Sequence, residues 1–70
     1  MRDLVVIERT DTRFSAYSPD LPGCVATGAT QQDVEVEMRA AVAFHLEGLQ
    51  TQGLEAPLPQ AFSTYVDVPA

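Results

Sequence analysis

The sequence predicts an α+β domain of order strand, strand, strand, helix, strand (βββαβ), with four strands in one mixed sheet and one long helix on a single face. Three observations predict it. Across residues 14–30 two short strand-like runs flank the connection 19–23, and the second run ends in a glycine just ahead of a helix signal. Over 31–52 apolar residues recur at helical spacing, and over 62–68 they alternate with polar ones at the period of a strand.

The first strand is read at 4–7, Leu-Val-Val-Ile, an unbroken apolar run that suits a strand covered on both faces and therefore internal to the sheet. Thr10, Asp11 and Thr12 form a polar break suited to a turn, and the second strand follows at 13–18. Alternation puts Phe14 and Ala16 on one of its faces and Ser15 and Tyr17 on the other. Pro19 lacks a backbone donor, so the ladder should end near Ser18. Pro22 and Gly23 suit the central pair of a type II turn, because proline presets the first backbone angle and glycine accepts the positive one that follows. The third strand is 24–28, too short to show which face it buries.

Thr30 reads as a helix N-cap, with Asp33 as the returning carboxylate of a capping box and Ala29 and Val34 at the two staple positions. Gly53 suits the left-handed position after the helix, with Leu54 beyond it able to touch Leu49. On a helical wheel Val34, Met38, Ala41, Val42, His45, Leu46 and Leu49 fall within one arc of about 120°, the width of a helix lying on a sheet. The opposite side carries Val36, Ala40, Ala43 and Phe44 among its charges, either as ordinary scattered surface residues or as a second contact surface. Pro57 and Pro59 require an extended connection. Phe62, Thr64, Val66 and Val68 then alternate with Ser63, Tyr65 and Asp67 as the fourth strand.

A meander of three strands, then a helical crossover to a parallel fourth, gives the sheet order 3-2-1-4, with the first strand inside. One helix covers one face only. Seventy residues make a single domain, 1–70, near the lower limit for independent stability, so self-association to a homo-oligomer is expected.

The formal net charge is −6, and the four arginines, Arg2, Arg9, Arg13 and Arg39, are scattered. Sequence-independent binding to phosphate backbones needs concentrated positive charge and is disfavoured. The acidic surface serves either solubility or a basic protein partner. No run approaches the ~20 apolar residues of a membrane span and the N-terminus lacks a secretory layout, so a cytoplasmic location away from membranes is expected. With one cysteine, one histidine and no lysine, the chain can form neither an internal disulfide nor a Cys/His zinc cage, and it lacks the lysine of Schiff-base and P-loop chemistry.

The residues Phe14 and Tyr17, the run Pro19-Asp20-Leu21-Pro22-Gly23-Cys24, Gly28 and Thr30 opening the helix, and Gly53, Pro57 and Pro59 after it together resemble the HicB family, the antitoxin half of HicA/HicB toxin-antitoxin pairs. The resemblance implies a partial ribonuclease-H-like fold and a role in binding and masking a small basic RNA-cleaving toxin of the HicA kind. Many members have a glycine-rich turn before the second strand, where this chain has Asp11-Thr12-Arg13. Full antitoxins also continue into a DNA-binding segment. This chain reads as a short stand-alone member ending at Ala70, with no direct DNA binding expected.

No catalytic, metal or cofactor constellation is read. Asp3, Glu8 and Asp67 are the carboxylates nearest strand ends, but Asp3 and Glu8 are an odd number apart and point to opposite faces of a regular strand, which suits a solvated edge better than a two-metal nuclease centre. His45 reads as a neutral histidine within the apolar arc, and Cys24 as a small packed residue. The expected function is a non-catalytic protein-binding module. The alternatives are an orphan oligomeric module unrelated to a toxin and a degenerate metal-dependent nuclease. Asp20, Glu35, Glu37 and Glu47 are the candidate partner-binding residues, chosen for exposure in the loop or away from the helix core stripe, while Pro22, Gly23, Thr30 and Gly53 are the structural positions.

Overall fold

A computed structural model describes residues 2–69. The chain folds as β1 (Val6–Arg9), β2 (Phe14–Tyr17), β3 (Val25–Gly28) and α1 (Gln31–Thr51). The strands form one antiparallel sheet in the order β1-β2-β3.

The connection from β1 to β2 closes without glycine. Thr10 N–H donates to the Arg13 carbonyl at 2.8 Å, and Arg13 N–H donates to the Thr10 hydroxyl at 2.9 Å, so a side chain takes one of the two turn bonds. That local bond is how Asp11-Thr12 replaces a glycine-rich turn: no non-glycine residue among those described has a positive φ.

The β2–β3 connection is two successive turns that share Leu21. Leu21 N–H donates to the Ser18 carbonyl at 3.2 Å, and Cys24 N–H donates to the Leu21 carbonyl at 3.1 Å. Gly23, the third residue of the second turn, has φ 84°, as a type II turn after Pro22 requires. The space around its absent Cβ is open, so the cost of a side chain there is the backbone angle alone. Gly23→Ala is therefore expected to destabilise the protein by about 1 kcal/mol, read as a lowered midpoint in urea denaturation; an unchanged midpoint would show that the turn tolerates a Cβ.

Register and alternation sort the sheet residues by face. Ile7, Ala16 and Ala26 lie in one row, and Phe14 stands between Arg9 and Gly28 in the next. This face meets the helix. Ala16, Leu21, Cys24, Val34 and Met38 form the buried core, with Val5, Ile7, Phe14, Ala26, Ala41, Val42 and Leu46 packed around it. The Arg9 guanidinium lies 5.7 Å from the centre of the Phe14 ring, closing the far end of the same face with a cation–π contact. Phe14 and Ala16 thus share the inner face and Tyr17 the outer, as the alternation predicts, and the structure adds that β3 points Ala26 and Gly28 inward.

Helix α1 starts where Thr30 caps it, with φ −130°, ψ 166° and a hydroxyl accepting from Asp33 N–H at 3.0 Å. Asp33 contributes its backbone donor. It ends in a Schellman arrangement: Leu54 N–H donates to the Leu49 carbonyl at 2.9 Å, Gly53 N–H donates to the Gln50 carbonyl at 3.0 Å, and Gly53 has φ 73°. The helix packs on β3 and β2. At ~1.5 Å per residue it is about 31 Å long, whereas strands of this length span about 13 Å. Only its first half can be roofed by the sheet, which is why Val34 and Met38 are fully buried while Ala41, Val42, His45, Leu46 and Leu49 of the expected core stripe are half-buried.

Three expectations are corrected. The sheet has three antiparallel strands and the fold is βββα, not a four-stranded mixed βββαβ sheet of order 3-2-1-4. The expected fourth strand, 62–68, carries no ladder, and Phe62, Val66 and Val68 are exposed. Alternation shows that a segment can present an apolar face, not that an edge in the same chain receives it. Just ahead of this segment the chain is held by a side chain instead: the Asp20 carboxylate accepts from Gln60 N–H at 3.2 Å and from Ala61 N–H at 3.2 and 3.3 Å. Consequently β1 is an edge strand, not an internal one. Its paired residues are Val6–Arg9, displaced from the apolar run 4–7, because the Thr10–Arg13 turn sets Arg9 opposite Phe14.

Candidate partner-binding surface

Because α1 leans over β3 and β2, the open edge of β1 and the side of the helix facing it do not close on each other. They leave a groove of about 630 Å³. Its apolar lining comes from Val5, Ile7, Met38, Val42 and Leu46, and its charges from Arg2, Asp3, Glu35 and Arg39. One Asp3 carboxylate oxygen is shielded from solvent without a donor facing it.

The four acidic candidates do not form one patch. Asp20 lies half-buried in the β2–β3 loop, tied to the backbone at 60 and 61. Glu35 lines the β1-side groove. Glu37 lines a shallower hollow of about 460 Å³ on the β3 side, with Arg13, Asp33 and Val36. At ~100° per residue Glu35 and Glu37 stand about 160° apart around the helix, and Glu47 lies on its back. All three glutamates are exposed. The tie between Asp20 and the chain forty residues later had no signal in the sequence, since only the folded loop brings Gln60 and Ala61 to it.

Of the structural positions, Pro22, Gly23, Thr30 and Gly53 occupy the turn and caps assigned to them. Leu21 and Gly28 enter the sequence reading as parts of the family pattern, and their packing roles are what it missed. Leu21 is wholly inaccessible despite sitting in a polar loop. Gly28 is where the helix start meets β3: a Cβ there would stand 2.7 Å from Val34 N and 3.0 Å from Val34 Cα. The signal available for Leu21 was a lone leucine between two turn signatures.

Cys24 is buried in the core beside these turns, and burial, reinforced by the negative charge of Asp3, pushes its thiol above the ordinary value of 9.0. That holds it as a neutral packed group. His45 is half-buried on the helix. Asp3 lines the groove, Glu8 lies on the outer face of β1 and Asp67 on the exposed segment, and among the described residues no three His, Cys, Asp or Glu side chains are grouped to hold a metal ion. No helix among them is long and apolar enough to cross a membrane.

These features define a small acidic βββα domain with one open, apolar-lined edge. It belongs to the HicB-like antitoxin family of bacterial toxin-antitoxin systems, whose model it matches over residues 4–70. Among solved structures it is similar to a chain of the HicA3 and HicB3 toxin-antitoxin complex, 31% identical, with a TM-score of 0.65 over 83% of this chain and 72% of that one. It is also 28% identical over 65 residues to an uncharacterised 14.9 kDa protein of the rep-hol intergenic region of Haemophilus phage HP1 (strain HP1c1). That match takes in 93% of this chain and 49% of the phage protein, so the chain spans about half the length of that relative.

Proposed function

We propose that this chain is a non-catalytic antitoxin module that binds and masks a small basic RNA-cleaving toxin of the HicA kind. The observation that carries the reading is the likeness to a chain of the HicA3 and HicB3 complex, at an identity and coverage that go beyond a shared fold and within a family of antitoxins. The net charge of −6 supports it physically, because an acidic domain draws a basic partner by long-range attraction while repelling the RNA that partner cleaves. The contact is assigned to Asp20, Glu35, Glu37 and Glu47. Since the glutamates are spread around the helix, their part is to raise the rate of encounter through the summed field, more than to form one tight ion-pair cluster.

Co-expression with a small basic toxin of the HicA kind should relieve the growth arrest that toxin causes and yield a stable complex. Raising salt should weaken that complex, because exposed charges are screened beyond about 8 Å at physiological ionic strength. Glu35→Gln, Glu37→Gln and Glu47→Gln combined should slow association more than they speed dissociation, as surface plasmon resonance would resolve. Failure to bind any such protein, together with RNA cleavage by the purified chain alone, would reverse the reading.

A further inference from the structure

Apolar side chains are exposed on several surfaces of the described residues, and the charges around them differ. On the outer sheet face Val6, Tyr17 and Val25 stand in one row, and Glu8 is the charged residue in the next, opposite Ser15 and Thr27. The groove beside β1 sets Arg2 and Arg39 against Asp3 and Glu35, so its charges cancel. The exposed segment 62–68 carries Asp67 alone. The back of α1 is different. At ~100° per residue Asp33, Val36, Glu37, Ala40, Phe44 and Glu47 fall within one sector of about 100°, turned away from the buried Val34 and Met38. All six are exposed, Phe44 by 79% and Val36 by 61%. We propose that the basic toxin docks on this back of α1, with Val36 and Phe44 as the apolar anchors that lose water in the complex and Asp33, Glu37 and Glu47 as the acidic rim facing its basic residues. The inference rests on the antitoxin reading and gives the contact a place.

Charge complementarity selects the occupant. The helix's one arginine, Arg39, lies toward the groove, and Arg13, across the hollow beside β3, is the basic residue nearest this face. Three carboxylates against one guanidinium repel nucleic acid, and a second copy laid back to back would set like charges against each other. A basic protein with apolar residues among its charges gains from both parts of the face. Val36 and Phe44 stand about 12 Å apart along the helix, with Asp33 and Glu37 beside the first and Glu47 beyond the second. An apolar centre within a charged rim is the anatomy of a specific protein contact. It also divides the work: rim charges set the rate of encounter, and the desolvated anchors set the lifetime of the complex. Of the residues assigned to the contact, Glu37 and Glu47 belong to this face, whereas Asp20 is engaged by Gln60 and Ala61 and Glu35 lines the groove.

The test passes the full chain over an immobilised, purified toxin of the HicA kind in surface plasmon resonance. Val36→Gln with Phe44→Gln, both at exposed positions, should leave helical circular dichroism unchanged and speed dissociation about tenfold or more, while association changes by less than about twofold. Glu37→Arg with Glu47→Arg should instead slow association about tenfold, most of all at low salt. Val25→Thr on the outer sheet face and Arg39→Gln in the groove should alter neither rate by more than about twofold. A dissociation rate unmoved by Val36→Gln with Phe44→Gln overturns the docking face and leaves the antitoxin reading standing, because the unaltered chain still binds. So does an association rate unmoved by the charge reversal, or a complex weakened more by Val25→Thr or Arg39→Gln than by the paired helix variant. A toxin that the unaltered chain does not bind at all overturns both.

Discussion

Leu21→Ala is expected to lower the unfolding free energy by about 3 kcal/mol, within the range of roughly 2–5 for large-to-small substitutions at buried leucines. The side chain is fully inaccessible and belongs to the core cluster with Ala16, Cys24, Val34 and Met38. It is held there by turns on both sides, through the bonds from its N–H to Ser18 and from Cys24 N–H to its carbonyl. A loop pinned in this way cannot easily collapse into the vacated space, so the cavity persists. For a domain of this size the total stability is on the order of 4–10 kcal/mol. The loss should be visible as a large drop in urea midpoint. Leu58→Ala is the control: Leu58 is 76% exposed, and its change should stay within about 0.5 kcal/mol. Equal effects at the two positions would mean that Leu21 does not anchor the core.

Gly28→Ala is expected to cost roughly 1–3 kcal/mol, by overpacking rather than by cavity formation. Three atoms would meet the new methyl, Val34 N at 2.7 Å, Val34 Cα at 3.0 Å and the Asp33 carbonyl carbon at 3.2 Å, and all are backbone. Backbone in the first turn of a helix cannot rotate aside as a side chain can. Relief requires lifting α1 off β3, which also strains the cap between Thr30 and Asp33. Gly48→Ala is the matched comparison, because the space there is open and Gly48 lies within the helix, where alanine is favoured over glycine by about 1 kcal/mol. The two substitutions should therefore shift the thermal midpoint in opposite directions. A Gly28→Ala protein as stable as the original would show that the helix and β3 can separate at no cost.

The local signals in this chain were read correctly where one residue type has one mechanical use. Gly23 and Gly53 adopt the positive φ expected of them, and Thr30 caps the helix. The acidic candidates were legible as exposed glutamates. Their dispersal around the helix was legible too, since it follows from spacing alone. The groove was not, because it exists only if β1 is at the edge, and the apolar run 4–7 argued for an internal strand. In the fold that run is shared out: Val5 and Ile7 face the helix and the groove, while Val6 faces outward beside Tyr17 and Val25. An apolar outer row of this kind carries the pattern of a buried strand without being one.

By itself the sequence determined the order of β1, β2, β3 and α1, the turn at Leu21–Cys24, both ends of the helix and the face that Phe14 and Ala16 present, because each depends on backbone angles and hydrogen bonds within a few residues. The tertiary structure alone decided that the sheet stops at three strands, that β1 is open, that Asp20 holds the chain at 60 and 61, and that Gly28 must lack a side chain. Those outcomes depend on which distant segments compete for the same edge, carboxylate or contact, and the sequence near each residue carries no record of its competitors.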